Sequence, residues 1–208
     1  MSKEKQKIDL DPKYLIKLTV TLFVTCVIVA GALGFVNKLT APNIAAANLA
    51  KTVAAMQAVV ADESSEFSDA LELTPEMTEA ALANGATLTE AYEVTVGGEH
   101  AGYTLKVVAS GSQGAIEMMV GVDAEAACTG VSVVKHAETK GIGSKVVVDN
   151  AVVKSTGVPV LDQFIGKGQS DLPLVVGSNV DAIGGATVST KGVTTGVNAA
   201  MAVAAVMG

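Results

Sequence analysis

The sequence predicts an α+β fold: a single N-terminal transmembrane helix followed by a domain with an antiparallel sheet and flanking helices. Three observations lead to this prediction. An uncharged apolar stretch lies near the N-terminus, four segments between residues 92 and 135 alternate apolar and polar side chains, and an alanine-rich segment with helical spacing closes the chain. The chain has 208 residues, which allows one such domain but not two full ones.

The membrane segment is the stretch Leu18–Val36, nineteen residues without a charge. As a helix it would span roughly 28 Å, close to the thickness of the hydrocarbon core of a bilayer. A cleaved signal peptide is the alternative, but its apolar region is normally only about 7–15 residues long. We therefore predict a retained anchor over residues 14–36, preceded by a tail over residues 1–13. The sequence has no second apolar stretch of this length, so the chain is expected to cross the membrane once.

The lysines predict the orientation of this anchor. Residues 1–17 hold five lysines against three carboxylates, whereas residues 37–208 hold nine lysines against eighteen carboxylates. Positive residues near a membrane helix favour the cytoplasmic side. The expected location is therefore the cell (inner) membrane, with a cytoplasmic N-terminus and an extracytoplasmic main domain.

The remaining chain divides into a juxtamembrane part, residues 37–83, and a compact domain, residues 84–208. The juxtamembrane part is expected to form a helix over 43–60 and then an acidic, irregular connection. The domain is expected to hold four consecutive strands, a fifth candidate strand and a closing helix: Tyr92–Val96, His100–Ala109, Ala115–Val122, Thr129–Lys135, then Leu172–Val176 and Thr190–Met207. The glycine pair Gly97-Gly98 predicts a hairpin between the first two strands.

Composition argues against several functions. The chain contains no arginine and has a net charge of −7, which disfavours nucleic-acid binding. No CxxC spacing indicates a metal centre, and none is expected. Cys128 could be a redox thiol or a ligand, but without a partner nearby in sequence it is better explained as a small apolar core residue.

Two segments have residue patterns that core packing alone does not explain. The first, residues 136–143 (HAETKGIG), follows a predicted strand, and its glycines would let the backbone approach a flat ligand; an ordinary polar loop is the alternative. The second, residues 181–190 (DAIGGATVST), leads into the closing helix. It fits equally well a helix start capped by Ser189 or Thr190 and a phosphate site at a positive helix end.

These segments resemble motifs of the FMN-binding domain family. Asp181 followed by Gly185-Ala186-Thr187 resembles its flavinylation motif, although Gly184 stands where serine or threonine is usual. Residues 136–143 resemble its His-x-Glu-Thr-Pro-Gly-Leu-Gly loop, with Lys140 in place of proline. Together with the single anchor and the length, they make the whole chain resemble the G-subunit family of the Rnf electron transport complex.

The resemblance implies a covalent cofactor, FMN bound by a phosphoester to the hydroxyl of Thr187. A separate flavin transferase would take the FMN from FAD and recognise the turn around the acceptor. The other residues implied in cofactor binding fall in the two segments: Asp181, Gly184, Gly185, Ala186, Ser189 and Thr190 near the phosphate, and Glu138, Thr139, Gly141 and Gly143 near the ribityl chain or the isoalloxazine ring.

The implied function is that of an electron-carrier subunit in an ion-translocating ferredoxin:NAD oxidoreductase, which couples electron transfer to sodium or proton translocation. Its partners would be Rnf subunits A, B, C, D and E, with the membrane-embedded D subunit as the expected neighbour. One alternative is the related C subunit of the sodium-translocating NADH:quinone reductase, whose chains tend to be longer. Another is a membrane-anchored binding or sensor module without a redox role.

Overall fold

A computed structural model describes residues 12–60, 62 and 64–208. Most of the expected cytoplasmic tail, residues 1–11, lies outside the described residues. The chain divides into two compact units, one up to Leu49 and one over Ala50–Gly208, which are described separately.

The first unit is formed by most of helix α1, which as a whole runs over Pro12–Val59 for 48 residues and continues through Pro42. Side chains of its apolar stretch, such as Leu22 and Phe23, are about two-thirds exposed. Among the described residues, α1 is the one helix long and apolar enough to cross a membrane. The expected continuation of the helix beyond the apolar stretch is confirmed, since α1 ends at Val59.

The second unit is built on a five-stranded antiparallel sheet whose strands follow one another in chain order. The strands are β1 Glu66–Phe67, β2 Ala86–Val96, β3 Glu99–Ser110, β4 Ala115–Asp123 and β5 Cys128–His136. Strands β2 and β3 form the predicted hairpin, because Gly97 and Gly98 adopt φ values of +61° and +85°, which favour glycine. The predicted α+β class and the four-strand meander are confirmed.

The predicted fifth strand, Leu172–Val176, is wrong. Pro173 has no amide to donate to a sheet, and the amide of Leu174 donates to the side chain of Asn198, at 2.9 Å. The additional strand is β1, which lies in the connection expected to be irregular and pairs with β2 through two residues.

Among the described residues, three further α-helices complete the unit: α2 Pro75–Ala83, α3 Ser144–Val147 and α4 Thr187–Met207. Two single 3-10 turns, Asp162–Phe164 and Gln169–Asp171, lie between α3 and α4. Helices α2 and α4 pack on one face of the sheet, where Met118 is fully buried. Gly196 allows this close packing, since a Cβ there would lie 2.6 Å from the sulfur of Met118. Successive residues of a strand point to opposite faces, so Met119 packs instead with Met56 and Val59 at the end of α1.

The end of α1 is fixed to that second face by the main chain of Val59. Its carbonyl accepts a hydrogen bond from the hydroxyl of Thr129, at 2.6 Å. A side chain at Gly121 or Gly130 would collide with the backbone of Val59, so both glycines are needed for this contact. The sheet is thus covered by α2 and α4 on one face and by the last residues of α1 on the other.

Candidate functional site

The start of α4 places Thr187 at the first helical position with its side chain exposed. Gly185 immediately before the helix has a φ of +81°, a conformation that glycine adopts without strain. Ala186 takes the N-cap position and provides no side-chain cap. Of the two alternatives for this segment, the helix start capped by Ser189 or Thr190 is therefore wrong, because the helix begins before both residues.

The turn before α4 is held in place while its glycines stay exposed. A carboxylate oxygen of Asp181 accepts a hydrogen bond from the hydroxyl of Ser155, at 2.7 Å. The backbone amide and carbonyl of Asp181 pair with the side-chain amide of Gln163, at 2.8 and 2.9 Å. Ile183 is buried, whereas Gly184 and Gly185 are exposed. Asp181 therefore shapes the turn through Ser155 and Gln163.

The loop after β5 carries the second predicted set of residues. Its chain turns at Gly141, with a φ of +79°, and the amide of Gly141 donates to the hydroxyl of Ser144, at 2.8 Å. Thr139 and Gly141 are exposed, whereas Gly143 and Glu138 are buried. Of the four loop residues predicted to bind the cofactor, only Thr139 and Gly141 can therefore contact a ligand from solvent without a change in structure.

The two motifs meet at a hydrogen bond between Ser189 and Glu138. The hydroxyl of Ser189 donates to Oε2 of Glu138, at 2.5 Å, and both residues are buried. A side chain at Gly143 would overlap with this pair. Sequence reasoning had placed Glu138 and Ser189 in one site, and the structure brings their side chains into direct contact. The hydroxyl of the neighbouring Thr190 donates instead to the carbonyl of Ala186, at 3.1 Å.

A cleft of about 540 Å³ opens beside the turn and has a volume typical of small-molecule sites. Its lining residues are Lys145, Ala151, Val152, Val153, Lys154, Ser155, Ala182, Ile183 and Gly184. Its lining therefore combines apolar residues with two lysines. The sequence analysis did not predict that the two lysines and Ser155 line this cleft. The only sequence feature that could have indicated it is the position of Lys145, two residues after the glycine-containing loop.

Other candidate groups have structural explanations. Cys128 is 1% exposed, and burial raises the pKa of its thiol to about 12, so the thiol stays protonated at neutral pH. This agrees with a core role. Within residues 12–60, 62 and 64–208, no three acidic, histidine or cysteine side chains are grouped to hold a metal ion.

The chain is similar to known proteins over most of its length. Residues 111–202 match the FMN-binding domain family, a range that includes both motifs and the cleft. The chain is also 33% identical over 203 residues, 93% of each chain, to the G subunit of the Na(+)-translocating ferredoxin:NAD(+) oxidoreductase complex of Acetobacterium woodii. The chain belongs to this G-subunit family.

Shorter matches to the G-subunit family come from two other organisms. The G subunit of the ion-translocating oxidoreductase complex of Methanosarcina acetivorans is 30% identical over 105 residues, 50% of this chain and 52% of the relative. The protein of the same name from Aliivibrio fischeri is 32% identical over 117 residues, 53% of this chain and 52% of the relative. The resemblance to this family inferred from the motifs is thereby confirmed.

The residues present fit the cofactor of this family. Thr187 offers an exposed hydroxyl at a helix start, and the adjoining cleft can accommodate a small molecule beside two cations. A Cβ placed at Gly184 or Gly185 would have no heavy atom of the described residues within 4 Å, so this turn is open toward a ligand.

Proposed function

We propose that this chain is the electron-carrying flavoprotein subunit of an ion-translocating ferredoxin:NAD oxidoreductase, with FMN attached covalently to Thr187. The observation that carries the proposal is the exposure of Thr187, a residue with a hydroxyl, at the first position of a 21-residue helix. Membership of the G-subunit family supports the cofactor and the type of complex. When bound, FMN supplies the capacity to accept and release electrons.

The helix start is suited to the charge of the linkage. The first amides of an α-helix have no carbonyl within the helix to bond with, and the helix dipole places partial positive charge there. A phosphodiester at Thr187 carries one negative charge, which these groups can stabilise. Lys145 and Lys154 in the cleft add cationic charge nearby.

The attachment reaction is a phosphoryl-group substitution on FAD. The oxygen of Thr187 forms a bond to the phosphorus on the FMN side, the phosphoanhydride bond breaks, and AMP leaves. The hydroxyl proton of Thr187 is released to a base of the flavin transferase. The role of this chain is to present the hydroxyl, together with Asp181 and the Gly184–Ala186 turn, to that enzyme.

The cleft beside Gly184 is the proposed position of the isoalloxazine ring. No aromatic residue is among its lining residues. Four aromatic residues follow residue 36. Phe164 is fully buried, Phe67 and Tyr92 pack with the end of α1, and the ring of Tyr103 lies 4.8 Å from the ring of His100. We therefore expect the isoalloxazine ring to be partly exposed or covered by a neighbouring protein of the complex, as suits a carrier that exchanges electrons between proteins.

The proposed partners are Rnf subunits A, B, C, D and E, with the membrane-embedded D subunit as the nearest electron-exchange partner and the flavin transferase as a partner during maturation. The Acetobacterium woodii relative is named as part of a Na(+)-translocating complex, and the other two as parts of ion-translocating complexes. Sodium and protons are both candidates for the ion that this complex moves.

The proposed topology places the N-terminus in the cytoplasm and residues 37–208 outside it. A covalent bond suits this arrangement, because a dissociable flavin outside the cell would be lost by dilution. The test uses a chain without its two native cysteines and with a single new one. A membrane-impermeant thiol reagent added to intact cells should label Asp69→Cys but not Lys5→Cys; labelling of Lys5→Cys alone would reverse the topology.

The attachment site is tested by a pair of variants made together with the transferase. Thr187→Val keeps the shape of the side chain but has no nucleophile, so it should carry no covalent FMN. Thr187→Ser keeps the hydroxyl and should retain some of it. Flavin fluorescence of the denatured chain in a gel measures both. Covalent FMN on Thr187→Val at the wild-type level would disprove the assignment.

A further inference from the structure

Glu138 is a buried carboxylate whose oxygens accept hydrogen bonds from the protein. It is 7% exposed. One oxygen accepts from the backbone amides of Ser112 and Gln113, at 2.7 and 3.2 Å, in the turn between β3 and β4. The other accepts from the hydroxyl of Ser189 in α4, at 2.5 Å. Glu138 thus connects three segments that are distant in the sequence.

The surrounding backbone closes around this carboxylate. A Cβ at Gly111 would overlap with one oxygen of Glu138, and a Cβ at Gly143 would overlap with the other. Two glycines therefore leave the space that the carboxylate fills. The group is enclosed by the β3–β4 turn, its own loop and α4, so a flavin could reach it only after these contacts open.

Ser189 and Thr187 point in opposite directions from the first turn of α4. Two residues of an α-helix correspond to a rotation of about 200° around its axis. This agrees with the burial of Ser189 at 1% exposure and the exposure of Thr187. A hydrogen bond that fixes Ser189 inward therefore also fixes Thr187 outward.

We propose that Glu138 is a positioning residue: through Ser189 it holds the first turn of α4 and presents the Thr187 hydroxyl for flavin attachment, without bonding to the flavin. The ends of helices open more readily than their centres, so such a contact raises the fraction of chains with a correctly placed hydroxyl. The attachment step rests on the proposed function, whereas the fixing of the helix start does not.

The variants are chosen to separate shape from charge. Ser189→Ala and Glu138→Ala each remove the contact between the loop and α4. Glu138→Gln keeps an oxygen for the two turn amides and offers its NH₂ group to the Ser189 oxygen, so a positioning role is rescued by glutamine. Thr194→Val is the matched control, because the buried hydroxyl of Thr194 bonds within α4, to the carbonyl of Thr190 at 2.9 Å.

The first measurement needs no cofactor: amide hydrogen exchange of the unmodified full-length chain in detergent. We expect residues 190–193 to exchange faster in Ser189→Ala and Glu138→Ala, and at nearly the wild-type rate in Glu138→Gln. Thr194→Val should leave the labelling of the 136–143 loop unchanged. Wild-type exchange at residues 190–193 in Ser189→Ala would overturn the proposal, even if Glu138→Ala does not fold.

The second measurement is the initial rate of covalent FMN incorporation with purified transferase, FAD and Mg²⁺. Ser189→Ala should lower the rate at least about tenfold, the lower end of what is expected when a hydrogen bond to a charged group is lost. The double variant Glu138→Ala/Ser189→Ala should be no slower than the slower single variant. Glu138→Gln should incorporate FMN at close to the wild-type rate.

Three results of the second measurement would overturn the proposal: an unchanged rate in Ser189→Ala, losses that multiply in the double variant, or a Glu138→Gln rate as low as that of Glu138→Ala. The last would indicate that the charge acts on the flavin itself. If the wild-type chain acquires no covalent FMN, the proposed function fails instead, and the exchange measurement alone decides whether Glu138 holds the helix start.

Discussion

Gly143→Ala is expected to destabilise the second unit by breaking the contact between Glu138 and Ser189. The backbone at Gly143 is right-handed, with φ −67° and ψ −28°, so alanine causes no strain there. The new methyl group would instead overlap with the Glu138 carboxylate and lie 2.7 Å from the Ser189 hydroxyl. Since the hydrogen bond accepted by this carboxylate contributes about 1.5–3 kcal/mol, we expect a similar loss in the free energy of unfolding.

Gly141→Ala is the matched control in the same loop. A Cβ there has no heavy atom of the described residues within 4 Å, but φ is +79°. The cost is then left-handed backbone strain alone, about 1–2 kcal/mol. For a unit of this size, 1 kcal/mol lowers Tm by about 2–4 °C. Thermal unfolding of the detergent-solubilised chain, followed by circular dichroism, should show the larger decrease for Gly143→Ala. An unchanged Tm in Gly143→Ala would refute the packing described for Glu138.

Two further predictions concern the core and the end of α1. Burial raises the pKa of Cys128 from 9.0 to about 12, so the folded state favours the protonated thiol. The stability that this preference contributes is lost as pH rises from about 9 to about 12. Urea unfolding of Cys128→Ala should therefore show a weaker decrease in stability above pH 9 than the wild type; equal slopes would contradict the shift. Thr129→Val removes the hydrogen bond to the carbonyl of Val59 and should cost about 1–3 kcal/mol, whereas Thr129→Ser should recover most of it in the same assay.

Local patterns were enough to predict the sheet. Alternating side chains located β2 to β5, and Gly97-Gly98 located the hairpin, because both signals depend on neighbouring residues. Strand β1 was missed because two residues give no alternation to read, and it forms only by pairing with β2. The start of α4 was placed too late, since Ser189 carries a cap-type side chain that is used for a tertiary contact instead.

The sequence motifs gave a set of candidate site residues, which stays a prediction, but they did not give the contacts of those residues. The motifs singled out Thr187, Glu138 and Ser189 as candidates. The partners of Glu138 lie 26 and 51 residues away, and no local pattern connects them. The cleft-lining lysines were missed for the same reason, because their relation to Gly184 arises only in the folded chain.

The central claim, a flavin phosphoester at Thr187, is tested most directly by peptide mass spectrometry of the full-length chain produced together with a flavin transferase. The account predicts that the peptide containing Thr187 gains the mass of FMN less one water and that fragmentation places the added mass on Thr187. An unmodified Thr187 peptide, or an FMN adduct on a peptide without Thr187, would contradict it.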